Sequence, residues 1–168
     1  MIEISTFPHH RSLHLNQDLL VPWLQNQLED SRENINKWES PGFFPHVKLA
    51  GRYTIEPVSF TGMVQFDIDN PDYLKNYSSR EDLKQRLSED EACLLVANSF
   101  SSHGVWGLLE GDIVSSKDQF SIMSKNLVSS FAHSYNITLD LMVSTQARAF
   151  RLICSDQNAR GRLCKSFT

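Results

Sequence analysis

Residues 64–70 read VQFDIDN and place two aspartates inside a run that otherwise has the composition of a buried strand. Side chains alternate across a strand, so residues two positions apart share one face. Asp67 and Asp69 therefore lie together on one face, and the apolar residues between them point the other way. The residues predicted to face a hydrophobic core are Val64, Phe66 and Ile68.

Length and composition indicate an ordinary globular domain. The chain has 168 residues, of which 40% are hydrophobic and 21% are charged. Its net charge of −4 argues against broad, non-specific binding to nucleic acid through a uniformly basic surface. No stretch is apolar enough for a membrane span or a signal peptide, so we expect no membrane partner.

The three cysteines form neither a disulfide framework nor a zinc motif, because their number is odd and no CxxC or CxxH spacing occurs. A reducing, cytoplasmic location is expected. The C-terminal residues 148–165 carry five basic side chains against one acid, Asp156. Charge alone leaves two alternatives for this stretch, a solvated tail or a phosphate-binding segment.

From residue 62 onward, turn-forming residues separate apolar segments at regular intervals, and this pattern predicts an α+β fold. A strand at 62–69 precedes a helix at 78–90 that is capped by Ser78 or Ser79. The remaining predicted elements are strands at 91–100 and 104–111, a helix at 116–134 capped by Ser115 or Ser116, and strands at 137–143 and 148–154. This succession predicts an RRM/ferredoxin-like split βαβ antiparallel sheet, with helices on one face and the other face open.

The first 60 residues are predicted to be an extension that packs on the core. Residues 16–38 carry apolar side chains at helical spacing, and Pro22 suits the first turn of a helix. The side chains that set the spacing are Leu20, Trp23, Leu24, Leu28 and Ile35. Loop is expected from there to residue 60, with Trp38, Phe43 and Phe44 packed against the core. The predicted division is thus an extension at 1–60, a core at 61–160 and a basic tail at 161–168.

A third acid joins the pair if the strand at 137–143 neighbours the first strand. In that strand Ile137, Leu139 and Leu141 face one way and Asp140 the other. Two carboxylates about 4 Å apart repel by roughly 4 kcal/mol at an effective dielectric near 20, so a proton, a basic group or a cation must offset them. Oxygen ligands favour Mg²⁺ or Mn²⁺. The alternative is that the aspartates only end the strand and begin a turn before Pro71.

Five short segments together resemble a known family. In order they are PHVKLAGRYT at 45–54, GMVQFDID at 62–69, VANSFSSHGVWGLL at 96–109, ITLD at 137–140 and RAFRLICSDQNA at 148–159. They resemble the VirE N-terminal-domain family of the archaeo-eukaryotic primase superfamily, the primase-polymerases of plasmids, phages and integrated elements. The similarity runs from about residue 43 to residue 159 and implies an RRM-like catalytic sheet.

The resemblance implies roles for particular residues. Asp67 and Asp69 match the first acidic motif of the family and Asp140 matches the third, so these three would bind Mg²⁺ or Mn²⁺ and be catalytic. Nucleotide-binding residues would come from the second motif and from an arginine before the last one. They are Ser101 and His103, together with Arg148 or Arg151.

The second motif departs from the family pattern. In one register His103 stands where the family has arginine, and Trp106 replaces a basic residue. Two functions therefore stay open. One is metal-dependent nucleotidyl transfer on a single-stranded template, with nucleoside triphosphates as substrates and a separate helicase or other replication protein as partner. The other is a catalytically degenerate fold that binds single-stranded nucleic acid or protein, for which an outward-facing Trp106 would stack on bases.

Overall fold

The computed structural model describes residues 1–30 and 36–168 and has an α+β fold with antiparallel sheets. The strands are β1 (Glu3–Phe7), β2 (Asn16–Leu19), β3 (Gly42–Phe44), β4 (Val47–Lys48), β5 (Ser59–Phe60), β6 (Met63–Ile68), β7 (Cys93–Asn98), β8 (Val105–Glu110) and β9 (Arg151–Leu152). The α-helices are α1 (Leu20–Glu29), α2 (Arg80–Ser88), α3 (Lys117–Tyr135) and α4 (Leu141–Thr145).

The central sheet has the order β6-β8-β7, with β8 antiparallel to both neighbours. These are the strands predicted at 62–69, 91–100 and 104–111, and the prediction is confirmed. Gly107 in β8 pairs with Phe66 of β6. A Cβ atom at Gly107 would lie 2.3 Å from the Phe66 ring and 2.4 Å from the carbonyl oxygen of Leu95, so glycine is required for this close approach.

Helices α2 and α3 cover one face of the central sheet, as predicted. The apolar face of β6 packs there in a cluster with Leu83, Leu87, Val128 and Phe131. Ser79 caps α2 by accepting the N–H of Asp82, and Ser116 caps α3 by accepting the N–H of Gln119. Within the described residues, no helix has the length and apolar character needed to cross a membrane.

The opposite face of the central sheet is buried, and the prediction that it is open is wrong. A second sheet of order β2-β1-β3-β9 lies on that side together with α1. Ile4, Leu24 and Phe43 form one cluster there with Leu95 and Trp106. The central sheet is therefore enclosed between two helices and the N-terminal segment.

The described part of the N-terminal segment contains five strands, β1 to β5, that the sequence did not predict. The helix is confirmed in part, because α1 spans Leu20–Glu29 with Pro22 in its first turn. The predicted helix continued through residues 31–35, including Ile35, which lie outside the described residues. A short strand with several polar residues, such as β1 (EISTF), does not show the apolar alternation from which strands are predicted. The strand is held here by pairing and by contacts such as Ser5 Oγ donating to Gln17 Oε1 at 3.0 Å.

The last two predicted strands differ from the structure. Residues 137–143 do not form a strand, since Asp140 ends the extended run by capping α4. The predicted strand at 148–154 is reduced to β9, which pairs with β3 in the second sheet. The basic tail is not simply solvated, because Leu163, Cys164 and Phe167 pack against the cluster beneath α1.

His46 joins three segments from a completely buried position. Its Nδ1 donates to the carbonyl oxygen of Gln146 at 2.9 Å, and its Nε2 accepts the N–H of Gln65 at 3.0 Å. This pairing requires the neutral ring. Burial lowers the pKa of His46 from 6.5 to about 4.

Acidification is expected to weaken folding through His46. Between pH 6.5 and about 4 the unfolded chain binds a proton that the folded chain excludes, so this stabilisation is complete above 6.5 and is lost as the pH falls. The full effect is about 3 kcal/mol. Urea denaturation across this window should show a flatter pH dependence for His46→Gln than for the wild type. Identical pH dependence in both proteins would contradict the prediction.

A buried ion pair anchors the C-terminal segment to α2. Lys84 Nζ lies 2.7 Å from Asp156 Oδ2, and both side chains are buried. Asp156 also accepts the N–H groups of Asn98 and Asn158. The carboxylate therefore satisfies two backbone donors in addition to the lysine.

Asp156→Ala is expected to lower the free energy of unfolding by about 3–5 kcal/mol, because it frees both backbone donors and leaves the buried Lys84 ammonium to Glu81, whose side chain is 46% exposed and lies 3.0 Å away. Lys84→Met should cost less, since the two N–H groups still hold Asp156. Denaturant unfolding of the two variants measures the difference. Equal losses would contradict this account.

Candidate functional site

The three predicted aspartates meet at one cavity at the end of β6. Asp67 is the penultimate residue of this strand, and Asp69 follows the strand on the exposed surface. The backbone N–H of Asp140 donates to the carbonyl oxygen of Asp67 at 3.1 Å, which brings the segment after α3 alongside β6. The cavity has a volume of about 330 Å³. Its lining residues are Lys37, Trp38, Asp67, Asp69, Ser99, Phe100, Ser101, Asp140, Val143, Phe150, Arg151 and Leu152.

Asp140 reaches the cavity as a helix cap rather than as a strand residue. Its Oδ1 accepts the N–H of Met142 at 3.0 Å at the start of α4. The Asp140 side chain is nevertheless exposed and lines the same cavity as Asp67. The sequence thus predicted the meeting of the acids, although the local structure that produces it differs.

Arg151 is the cation beside Asp67. Its Nη1 lies 3.2 Å from Asp67 Oδ1, and its Nε donates to Gln65 Oε1 at 3.1 Å. The guanidinium also lies 5.5 Å from the centre of the Trp106 ring. These contacts hold Arg151 at the buried end of the cavity, where it offsets the charge of Asp67.

The pKa of Asp67 is raised above its usual value. Burial is the main cause, Arg151 opposes it, and repulsion from and hydrogen bonding with Asp69 raise the pKa further. Asp67 is therefore easier to protonate than an exposed aspartate. Any cation that binds here competes with both a proton and the Arg151 guanidinium.

The β7–β8 loop brings Ser101 to the cavity but not His103. The N–H of Gly104 donates to Ser101 Oγ at 2.7 Å, and a Cβ at Gly104 would lie 2.4 Å from that oxygen. His103 is not among the lining residues, and its carbonyl oxygen accepts the Tyr73 hydroxyl at 2.6 Å. The predicted serine lines the cavity, whereas the predicted histidine does not.

The two candidate arginines occupy different places. Arg151 lines the aspartate cavity, whereas Arg148 donates to the carbonyl oxygen of Arg52 and lines a neighbouring cavity. The sequence left open whether Arg148 or Arg151 would bind the nucleotide, and of these two Arg151 lines the aspartate cavity.

Sequence reasoning missed Lys37 and Trp38. Trp38 was expected to be packed against the core, but it is 49% exposed and lines the cavity. Lys37 Nζ lies 5.4 Å from the centre of the Trp38 ring. Both come from a short 3₁₀ turn far from the acids in sequence, and no motif marks them. Phe43 and Phe44 are fully buried, as predicted.

Trp106 is unavailable for stacking on bases. It is fully buried, and its ring centre lies 6.2 Å from that of Phe43. The sequence left open whether Trp106 points outward; in the structure it does not reach solvent, because the N-terminal segment covers that face of the sheet.

The donor chemistry of the aspartate cavity suits a hard divalent cation, since its acidic ligands are all carboxylate oxygens. Among residues 1–30 and 36–168, however, no three His, Cys, Asp or Glu side chains are arranged to hold a metal ion. The cation next to Asp67 is instead Arg151. Metal binding would therefore require the acids to rearrange.

Comparison of the chain with protein-family models, with curated proteins and with solved structures gives no match. The resemblance to the primase-polymerase family accordingly stays a prediction, and the cavity has to be interpreted from its own residues.

The two neighbours of Asp67 are expected to shift its pKa in opposite directions. Arg151→Met should raise the pKa, because it removes the nearby positive charge, and Asp69→Asn should lower it, because it removes repulsion. Titration of the Asp67 carboxyl carbon by NMR measures both shifts. Asp72→Asn, an exposed charge outside the cavity, is the control. Shifts of the same sign in Arg151→Met and Asp69→Asn would contradict this account.

Proposed function

We propose that this chain is a primase-polymerase-like domain of a mobile element or phage, which carries out metal-dependent nucleotidyl transfer on a single-stranded template. The observation that carries the proposal is the convergence of Asp67, Asp69 and Asp140 in one cavity with Ser101 and Arg151. These acids come from two separate segments, and both segments belong to the motifs that resemble the family.

The strand arrangement supports the finer fold that the resemblance implies. An RRM-like split βαβ sheet has its first and second strands on either side of the third. The order β6-β8-β7, with α2 between β6 and β7, agrees with this arrangement. The segment ending at Asp140 lies beside β6, which is the position of the missing fourth strand, and the N–H of Asp140 donates there to the carbonyl oxygen of Asp67 without forming a strand.

The residues around the cavity divide into acidic and basic sets. Asp67, Asp69 and Asp140 would hold Mg²⁺ or Mn²⁺, and the metal when bound would activate a hydroxyl and neutralise charge on a leaving pyrophosphate. Arg151 and Lys37 supply positive charge for the triphosphate. Trp38 offers an exposed ring on which a base can stack. Single-stranded nucleic acid and nucleoside triphosphates are thus the proposed partners, with a separate helicase as a further one.

The Asp67–Arg151 ion pair favours a second candidate function, a nucleic-acid- or protein-binding module without catalysis. In this arrangement the buried carboxylate already has a counter-ion. Trp38 would then take the base-stacking role that an outward-facing Trp106 would have had. The two candidates differ in whether the aspartates need a metal.

Metal-dependent nucleotide binding separates these candidates. Melting temperature is measured with Mn²⁺, with and without a nucleoside triphosphate, for the wild type and for Asp69→Asn/Asp140→Asn. Asn at position 140 keeps a side-chain oxygen that can cap α4, so the variant removes charge rather than structure. The nucleotide should stabilise the wild type only when Mn²⁺ is present, and the double variant should lose this effect.

The matched control is Asp72→Asn/Asp112→Asn, which removes two exposed charges outside the cavity and should behave as the wild type. Because binding requires the deprotonated acids, stabilisation by Mn²⁺ should also increase with pH. Primer synthesis on a poly-pyrimidine template then tests catalysis directly. A wild type that is indifferent to Mn²⁺ contradicts the enzyme and favours the binding module.

A further inference from the structure

A second cavity of about 360 Å³ lies next to the aspartate cavity and has the opposite charge. Its lining residues are His10, Arg11, Arg52, Tyr53, Arg148 and Phe150. Among the described residues, three arginines line it and no carboxylate does. Phe150 lines both cavities, so the two are neighbours that share an aromatic wall.

Arg52 is buried in this wall without an acidic partner. The residue is 6% exposed, and its guanidinium lies 4.2 Å from the centre of the Phe7 ring. Nη2 donates to the carbonyl oxygen of His10 at 3.0 Å, but Nε has no hydrogen-bond partner within residues 1–30 and 36–168. No carboxylate of the described residues forms an ion pair with it. A buried cation of this kind is costly unless an anion or aromatic rings compensate it.

Two further side chains of the cavity have unused nitrogen atoms. Arg148 donates to the carbonyl oxygen of Arg52, but its buried Nε has no partner. His10 lies against Trp38 and Phe150 with ring centres 4.8 Å and 5.0 Å away, and its buried Nδ1 is also without a partner. Arg11 adds an exposed charge at the rim. The cavity thus combines excess positive charge with unsatisfied hydrogen-bonding groups.

We propose that this basic cavity binds a terminal phosphate monoester attached to a nucleoside. Guanidinium groups present paired N–H donors that match phosphate oxygens, and three of them with no acid suit a dianion better than a singly charged phosphodiester. Tyr53, which is 63% exposed, and Phe150 provide rings beside the phosphate on which a base can lie. The ligand is either a free nucleoside monophosphate or the phosphorylated end of a nucleic-acid strand, which share this chemistry.

Binding to this cavity does not depend on a metal or on the aspartates. The test therefore uses EDTA and two pairs of probes: thymidine 5′-monophosphate against thymidine, and a fluorescent oligothymidylate with a 5′-phosphate against the same strand with a 5′-hydroxyl. Calorimetry and fluorescence anisotropy measure the respective affinities. At least one phosphorylated probe should bind about tenfold or more tightly than its unphosphorylated partner.

Substitutions of the lining arginines test whether the phosphate binds in this cavity. Arg11→Gln/Arg148→Gln should reduce the preference for the phosphorylated probe about tenfold or more, whereas Arg86→Gln/Lys125→Gln, which removes the same charge from exposed helix positions, should preserve it. Arg148→Gln alone should already weaken binding if the double variant folds poorly. Inorganic phosphate should raise the melting temperature of the wild type more than of Arg52→Met at equal ionic strength.

The two sources of phosphate are separated by which probe pair shows the preference. Equal affinity for phosphorylated and unphosphorylated probes in both pairs overturns the proposal, as does an Arg11→Gln/Arg148→Gln variant that binds like the wild type. Asp69→Asn/Asp140→Asn should leave this binding unchanged. Failure of the metal experiment and failure of this one are thus independent results.

Discussion

Burial of β6 on both faces is the constraint on which the rest of the structure depends. Phe66 packs under the helices, and Gln65 is buried on the opposite side, where its side chain accepts a hydrogen bond from Arg151. With both faces closed, acids on this strand can reach solvent only where the strand ends. Asp67 and Asp69 lie at that end, and the backbone contact from Asp140 brings a second segment to the same point.

Two neighbouring cavities at this end of the molecule carry opposite charge, one lined by aspartates and the other by arginines. In the part of the chain that the structure describes, Arg151 is the close counter-ion of the aspartate cavity, while the neighbouring cavity has three arginines and no acid. Phe150 lies between them, flanked by His10. Because low-polarity rings screen charge less than water would, the arginines and the aspartates attract each other across Phe150 more strongly than they would through solvent. A phosphorylated ligand and a divalent cation are attracted to adjacent but different places.

The same packing changes which aromatic residue can contact a ligand. The sequence left open which way Trp106 points; in the structure it lies on the face away from the helices, and that face does not meet water. Residues of β1, β3 and α1 cover it, and these lie far from Trp106 in sequence. Trp38 instead is exposed, because the turn that carries it lies on the outside of the covering segment.

The sequence by itself determined the elements that depend on neighbouring residues. Alternation in 64–68, the caps at Ser79 and Ser116 and the spacing of apolar residues in α3 predicted the central strands and the helices α2 and α3. The meeting of the three acids was predicted from a strand at 137–143 that the structure does not contain. Only the tertiary structure decided the burial of the sheet, the capping role of Asp140 and the grouping of Arg11, Arg52 and Arg148. These features arise from contacts between segments distant in the chain, and local propensity carries no information about such contacts.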